Sequence, residues 1–203
     1  MDPVELKSGD YTGTYKLIGG DEVSLDLVNT IAWPDTEKEH DWLDSTDNFL
    51  SWAVASGVIN TGQEKDLANQ PGTKLEKELV RVHEIRSGLA DVLRPLAHDE
   101  QPASSALNTL NDFMREAVQY RYLSPDYQWK WDIPETLPQV LNSVIWNAVH
   151  VLTDLDHTRI GHCPSCDWIF YDTTRNRSRK WCDMEDCGSR DKALRYYHRT
   201  KKS

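Results

Sequence analysis

The chain has 203 residues, with 33 acidic against 23 basic side chains and a formal net charge of −10. No stretch approaches the roughly 20 consecutive apolar residues of a membrane span, and the start, Met1-Asp2-Pro3-Val4-Glu5-Leu6-Lys7, has neither the basic nor the apolar run of an export signal. A reduced, cytoplasmic setting is therefore expected, without a membrane partner. Residues 11–18 and 22–28, separated by Gly19-Gly20-Asp21, read as a hairpin with a glycine turn. Ser45 or Asp47 is placed to cap a short helix through Phe49, Leu50, Ala53 and Val54 that ends at Gly57. Leu75, Leu79, Val82, Ile85, Leu89, Val92 and Leu96 recur at three and four, predicting an amphipathic helix that stops near Pro95. Leu107, Leu110, Phe113, Met114, Ala117 and Val118 predict another. Residues 120–123 and 128–133 flank Ser124-Pro125-Asp126 as a second hairpin, and one apolar stripe predicts a helix over 135–156.

All four cysteines lie in the last 41 residues, as Cys163-x2-Cys166 and Cys182-x4-Cys187. Two close pairs with none left over suit one tetrahedral zinc bound by four thiolates at about 2.3 Å. Two disulfides are the alternative, and they require an oxidising compartment. Four cysteine ligands leave no open position for water, which points to a structural ion, one per chain. His162 and His198 are the available substitute ligands.

Charge divides the chain at the same place. Residues 159–203 hold eleven Lys and Arg against six Asp and Glu, while residues 1–158 hold twelve against twenty-seven. Within the tail, Arg175, Arg177, Arg179 and Lys180 crowd the loop between the cysteine pairs beside Trp181. Arg190, Lys192, Arg195 and Arg199 follow in a stretch of helical composition that Ser189 is suited to cap. Arg195 and Arg199 share a helix face, and Leu194 and Tyr197 are expected to turn inward over the metal. Cations held in one metal-stabilised module suit DNA phosphates; a solvated face, or a grip on an acidic protein, has the same composition.

The tail, from Cys163-Pro-Ser-Cys166 through Trp168-Ile-Phe-Tyr-Asp172 and Arg175-Asn-Arg-Ser-Arg-Lys-Trp-Cys182 to Cys187-Gly-Ser-Arg190, resembles the CGNR zinc finger, with Ser189 where that signature has Asn. The preceding residues resemble the ABATE domain of bacterial stress-induced transcription regulators, most sharply at Leu25-Asp26-Leu27-Val28-Asn29-Thr30. The resemblance implies an α+β protein: a mainly helical domain with small antiparallel hairpins over 1–157, then a treble-clef zinc finger over 158–203. It also implies regulation of transcription through DNA, with the larger domain sensing a small-molecule ligand or holding a protein partner.

Asp26, Asn29 and Trp33, with Trp42 nearby, are the candidate lining of a ligand pocket; Asp and Asn at a strand end equally satisfy local backbone groups. A homodimer would enlarge the surface of a single small finger. His83, Glu84 and His150 read as ordinary surface or core side chains. No Ser/His/Asp signature, phosphate loop or H-E-x-x-H is present, so no enzyme is expected.

Overall fold

The computed structural model describes residues 4–8 and 11–201. The chain opens with an antiparallel hairpin of β1 (Val4–Ser8) and β2 (Tyr11–Tyr15), whose Leu6 and Tyr15 are buried. It packs on α2 (Thr46–Ala55). The second half of the expected first hairpin is instead a helix, α1 (Val23–Val28). Leu25 and Leu27 alternate with Ser24 and Asp26, but all of Ser24–Val28 is buried. When every face is covered, the spacing of apolar residues loses its directional meaning. A side chain from another helix caps α1: Asn147 Oδ1 accepts from the Ser24 amide at 2.9 Å, and Asn147 Nδ2 donates to Glu22 at 2.7 Å.

A two-residue ladder, β3 (Ile31–Ala32) with β4 (His40–Asp41), leads into α2. Ser45 caps α2 by accepting from the Asn48 amide, and Gly57 follows at φ +73°, a conformation few L side chains adopt. The next helix, α3 (Thr61–Ala68), lies outside the elements expected from the sequence, although Asn60 and Gln63 form a reciprocal capping box at its start.

The long helix α4 (Gly72–Ala97) is the axis of the body. It packs against α1, α5 (Ser104–Ala117) and α6 (Leu137–Val140). At Gly88 an added Cβ would stand 2.6 Å from the Phe113 ring, so glycine lets α4 and α5 approach closely. Arg86 of α4 is buried, donates to both oxygens of Asp41 at 2.6 Å, and reaches Thr30 Oγ1 at 3.1 Å. Burial alone would raise the Asp41 carboxyl; the Arg86 bonds and charge hold it below its ordinary value.

The second predicted hairpin is present as β5 (Arg121–Leu123) with β6 (Trp129–Trp131). The helix expected over 135–156 is two: after α6 the chain tightens at Leu141, whose amide bonds back to Pro138, before α7 (Asn142–Thr153) begins. That joint lets Leu137, Val140 and Leu141 all enter the core.

The last part of the chain adds a hairpin of β7 (Ile160–His162) and β8 (Ile169–Tyr171), then α8 (Ser189–Thr200). Ile160 and Ile169 belong to the main core, alongside Leu25, Leu89 and Val144. The architecture is thus mainly helical with small antiparallel hairpins, closed by a finger whose first strands share the body's core. Among the described residues, no helix is long and apolar enough to cross a membrane.

Candidate metal centre and finger surface

The four cysteine sulfurs lie within 4.8 Å of one another and all four residues are buried. Cys163 and Cys166 sit on a tight knuckle: the Cys163 amide donates to Trp168 O at 2.8 Å and the Asp167 amide to Cys163 O at 2.8 Å. Asp167 closes the turn at φ +60°, which Asp tolerates better than most side chains. The second pair stands at a helix start. Asp183 accepts from the Glu185 and Asp186 amides, and the turn Met184–Gly188 runs directly into α8. Cys187 therefore lies in the first turns of a continuous helix, where the dipole favours thiolate charge.

The thiols of Cys163, Cys166 and Cys182 influence one another's ionisation. Contacts with Cys166 and Cys182 pull the Cys163 thiol far below its ordinary value, while contacts with Cys163 push those of Cys166 and Cys182 upward. A dication at the centre offsets the charge of clustered thiolates. Tetrahedral zinc sets its sulfurs about 3.8 Å apart at its usual bond length, and Cys166 and Cys182 already stand 3.5 Å apart. The donor set fits one structural zinc and leaves it no open position. His162 is not among the side chains grouped at the sulfurs; its Nδ1 donates to Ala97 O at 3.0 Å. The His198 side chain lies outside the described residues.

Asp26 and Asn29 spend their side chains on the backbone. The Asn29 side chain behaves as a strand peptide: its Nδ2 donates to Ile169 O and its Oδ1 accepts from the Ile169 amide, each at 2.8 Å and buried. It supplies the edge of β8 with the partner that a neighbouring strand would otherwise provide. Asp26 Oδ1 accepts from the amides of Ile18 and Gly19 at 2.6 and 2.8 Å. Burial pushes its carboxyl up to about 7, against the opposing pull of those two amides and of Arg179. An added Cβ at Gly19 would meet Glu22 O at 2.7 Å, so this turn requires glycine. Sequence reasoning misses the Asn29 role because its partner is 140 residues away, and the Asp26 role because the turn it holds is read there as a hairpin.

The basic loop is stitched from within. Asp172 accepts from the amides of Thr174 and Arg179, and Arg159 donates to the Asp172 and Thr174 carbonyls. The Arg179 guanidinium turns inward: Nη2 donates to Ile18 O and Cys182 O at 2.8 Å, and its carbon stands 4.3 Å from the Phe170 ring centre. Carbonyls of body and finger thus occupy its donors. Arg177 bonds Thr158 Oγ1 at 2.6 Å and Asp156 at 2.8 Å, which ties the loop to the junction. Arg175 and Lys180 are exposed, Lys180 lying 5.1 Å from the Trp181 ring.

The helix α8 departs most from expectation. Leu194 and Tyr197 do not cover the metal; they are 53 % and 50 % exposed, and Tyr196 is 63 % exposed. The sulfurs are covered instead by Ile18, Phe170, Trp33, Trp168 and Trp181. Ser189 does not cap the helix but donates to Met184 O at 3.3 Å; Asp183 is the cap. Lys192, Arg195 and Arg199 project from the exposed helix, Arg195 paired with Asp191 and Arg199 beside the Tyr196 ring. Arg190 turns back, 5.8 Å from the Trp33 ring.

Between body and finger lies a cleft of about 440 Å³ lined by Trp33, Trp42, Trp168, Lys16, Asp183, Asp186 and Arg190, with Cys166, Cys182 and Cys187 at its floor. Lys16 bridges the two parts, bonding Asp183 at 3.0 Å and Asp186 at 2.7 Å. Of the three expected pocket residues, only Trp33 lines this cleft.

Two family models match successive stretches of the chain. The model of the ABATE family, described as "putative stress-induced transcription regulator", matches residues 21–155. The chain belongs to the ABATE family. The CGNR zinc finger model matches residues 159–200, which include all four clustered cysteines. No curated protein matches the chain. In ABATE terms, the segment Leu25–Thr30 is the platform on which the finger is seated: Asp26 holds the turn that Arg179 reaches, and Asn29 holds β8.

Proposed function

We propose that this ABATE protein is a DNA-binding transcription regulator whose contact element is the exposed α8, carried by the zinc and the body. The observation that carries this reading is the pairing of exposure with charge on α8. Lys192, Arg195 and Arg199 fall at i, i+3 and i+7, one face of a helix that packs mainly on the turn before it. The acidic body repels phosphate elsewhere and so confines the contact to this end. Arg175 and Lys180 flank the same module, whereas Arg177 and Arg179 serve the fold. The cleft beside Trp33 is the place for a small regulatory molecule, because anything bound there touches both the body and the turn that launches α8.

The test is binding to duplex DNA across a salt series. Affinity should fall steeply with salt, and the double variant Lys192→Ala/Arg199→Ala should lower the logarithmic slope by about 2, roughly one for each phosphate no longer neutralised. An unchanged slope, or wild-type affinity indifferent to salt, overturns the assignment.

A second reading, protein contact by the body, is favoured by the β5–β6 hairpin. Leu123, Tyr127, Trp129 and Ile133 are exposed there, from 54 % to 83 %, a patch larger than solitary surface apolar residues make. If it is a homodimer face, Leu123→Ser/Trp129→Ser shifts sedimentation to the monomer. A wild-type chain that already sediments as a monomer removes the homodimer from this reading.

A further inference from the structure

A second group of metal-binding side chains adjoins the knuckle. His98, His162 and Asp167 each offer one donor atom, and these atoms all lie within 4.8 Å of one another. The three come from both parts of the molecule. His98 is the residue at the C-terminal end of α4, in the body; His162 ends β7 and Asp167 closes the knuckle, both in the finger.

His162 and Asp167 are held by neighbours, and His98 must turn out of its stack on His162 to bring its lone pair onto a shared ion. The Nδ1–H of His162 donates to Ala97 O at 3.0 Å, which leaves Nε2 of the neutral ring with its lone pair available. A carbonyl partner on the remote nitrogen is the usual arrangement behind a ligating histidine. Asp167 is fixed by Arg94, whose Nη1 stands 3.4 Å from Oδ2 and 3.3 Å from the main-chain oxygen. The other oxygen, Oδ1, stands 3.0 Å from His98 Nε2. The two imidazoles stack with centres 3.9 Å apart and planes 18° from parallel. The residues are partly exposed, so an ion can enter from solvent. They also sit at the C-terminal end of a 26-residue helix, where the dipole favours positive charge.

We infer that His98, His162 and Asp167 form a second metal site, distinct from the four-cysteine centre, that takes a divalent transition ion through two imidazoles and one carboxylate. Imidazole with carboxylate suits zinc, nickel, cobalt or ferrous iron, and the absence of thiolate separates its chemistry from that of the structural zinc. Three protein donors leave coordination positions open to water or to a small ligand. Binding replaces the His98 Nε2 proton with the metal; the ring keeps one proton, on Nδ1, and any excess proton goes to solvent. The ion would brace α4 against the knuckle, so its occupancy would report available metal to the joint between body and finger.

Cobalt added to the full-length, zinc-loaded protein tests this, with bound metal counted by equilibrium dialysis and followed by absorption. One further equivalent should bind, giving weak ligand-field bands and none of the intense near-ultraviolet thiolate-to-cobalt absorption that exchange into the cysteine site would produce. His98→Ala and Asp167→Asn should each weaken that equivalent at least tenfold while zinc stays at one per chain. Asparagine tolerates the left-handed backbone at position 167, so the knuckle is kept. No second equivalent in the wild type, a second equivalent that carries the thiolate band, or retention of it by either variant overturns the site.

Discussion

The two halves of the finger use similar residues in opposite ways. Between Ile160 and Cys182 the anchoring side chains point into the molecule: Ile160 and Ile169 enter the body's core, Arg179 bonds carbonyls on both sides, and Asn29 completes the edge of β8. From Cys187 to Thr200, the chain packs on little but the turn before it, and its Leu, Tyr, Lys and Arg side chains face water. One metal joins them. Charge count alone is therefore a poor guide to binding, because Arg177 and Arg179 are used as structural donors while Lys192 stands on an exposed helix face.

The largest expected effect comes from removing zinc. Structural zinc contributes on the order of 10 kcal/mol in small fingers, and α8 has no other anchor of comparable size among the described residues. Chelation, or Cys182→Ser, should abolish hydrogen-exchange protection throughout α8 while the β7–β8 amides keep part of theirs. Equal loss in both halves would break the contrast. Next is Asn29→Ala, which strips the Ile169 amide and carbonyl of buried partners. At about 1–3 kcal/mol for each group left unsatisfied, chemical denaturation should show a loss of about 2–5 kcal/mol.

Arg179→Ala against Lys192→Ala sharpens the comparison directly. Arg179→Ala should cost about 2 kcal/mol or more of stability, since Ile18 and Cys182 lose a charged donor. Lys192→Ala, on an exposed helix face, should change stability by less than about 0.5 kcal/mol and show only in salt-dependent DNA affinity. A last effect concerns pH. Asp26 is raised from 3.8 to about 7 by burial, so between those values the folded chain holds a proton that the unfolded chain has released. Its contribution to stability is full below about pH 4 and is lost as pH rises through 7, by at most about 1.4 kcal/mol per pH unit. Melting temperatures of wild type and D26N, compared from pH 6 to 8 with zinc bound, should therefore show the steeper decline in the wild type.

What is legible in the chain is whatever chemistry is local. Two cysteine pairs, Ser45 before its helix, Gly57 after it and the stripe along α4 announce themselves within a few residues. The parts that mislead depend on distant neighbours. Complete burial makes α1 look like a strand, because alternation and total enclosure leave the same pattern over six residues. Leu194 and Tyr197 read as inward-facing on composition alone, but Phe170 and three tryptophans already cover the sulfurs. Asp26 and Asn29 stand out as unusual without disclosing why, since their roles exist only once Ile18 and Ile169 are brought beside them.

The Asn29 pairing bears on how this finger can be transplanted. Cut at residue 158 and grafted elsewhere, it would carry its zinc but present Ile160 and Ile169 to water, along with a peptide group whose two bonds were left behind. A host for such a chimera would need an amide side chain at the height of β8 and an apolar seat beneath it. The portable unit is therefore larger than the metal-binding segment and includes the stretch from Ile18 to Thr30.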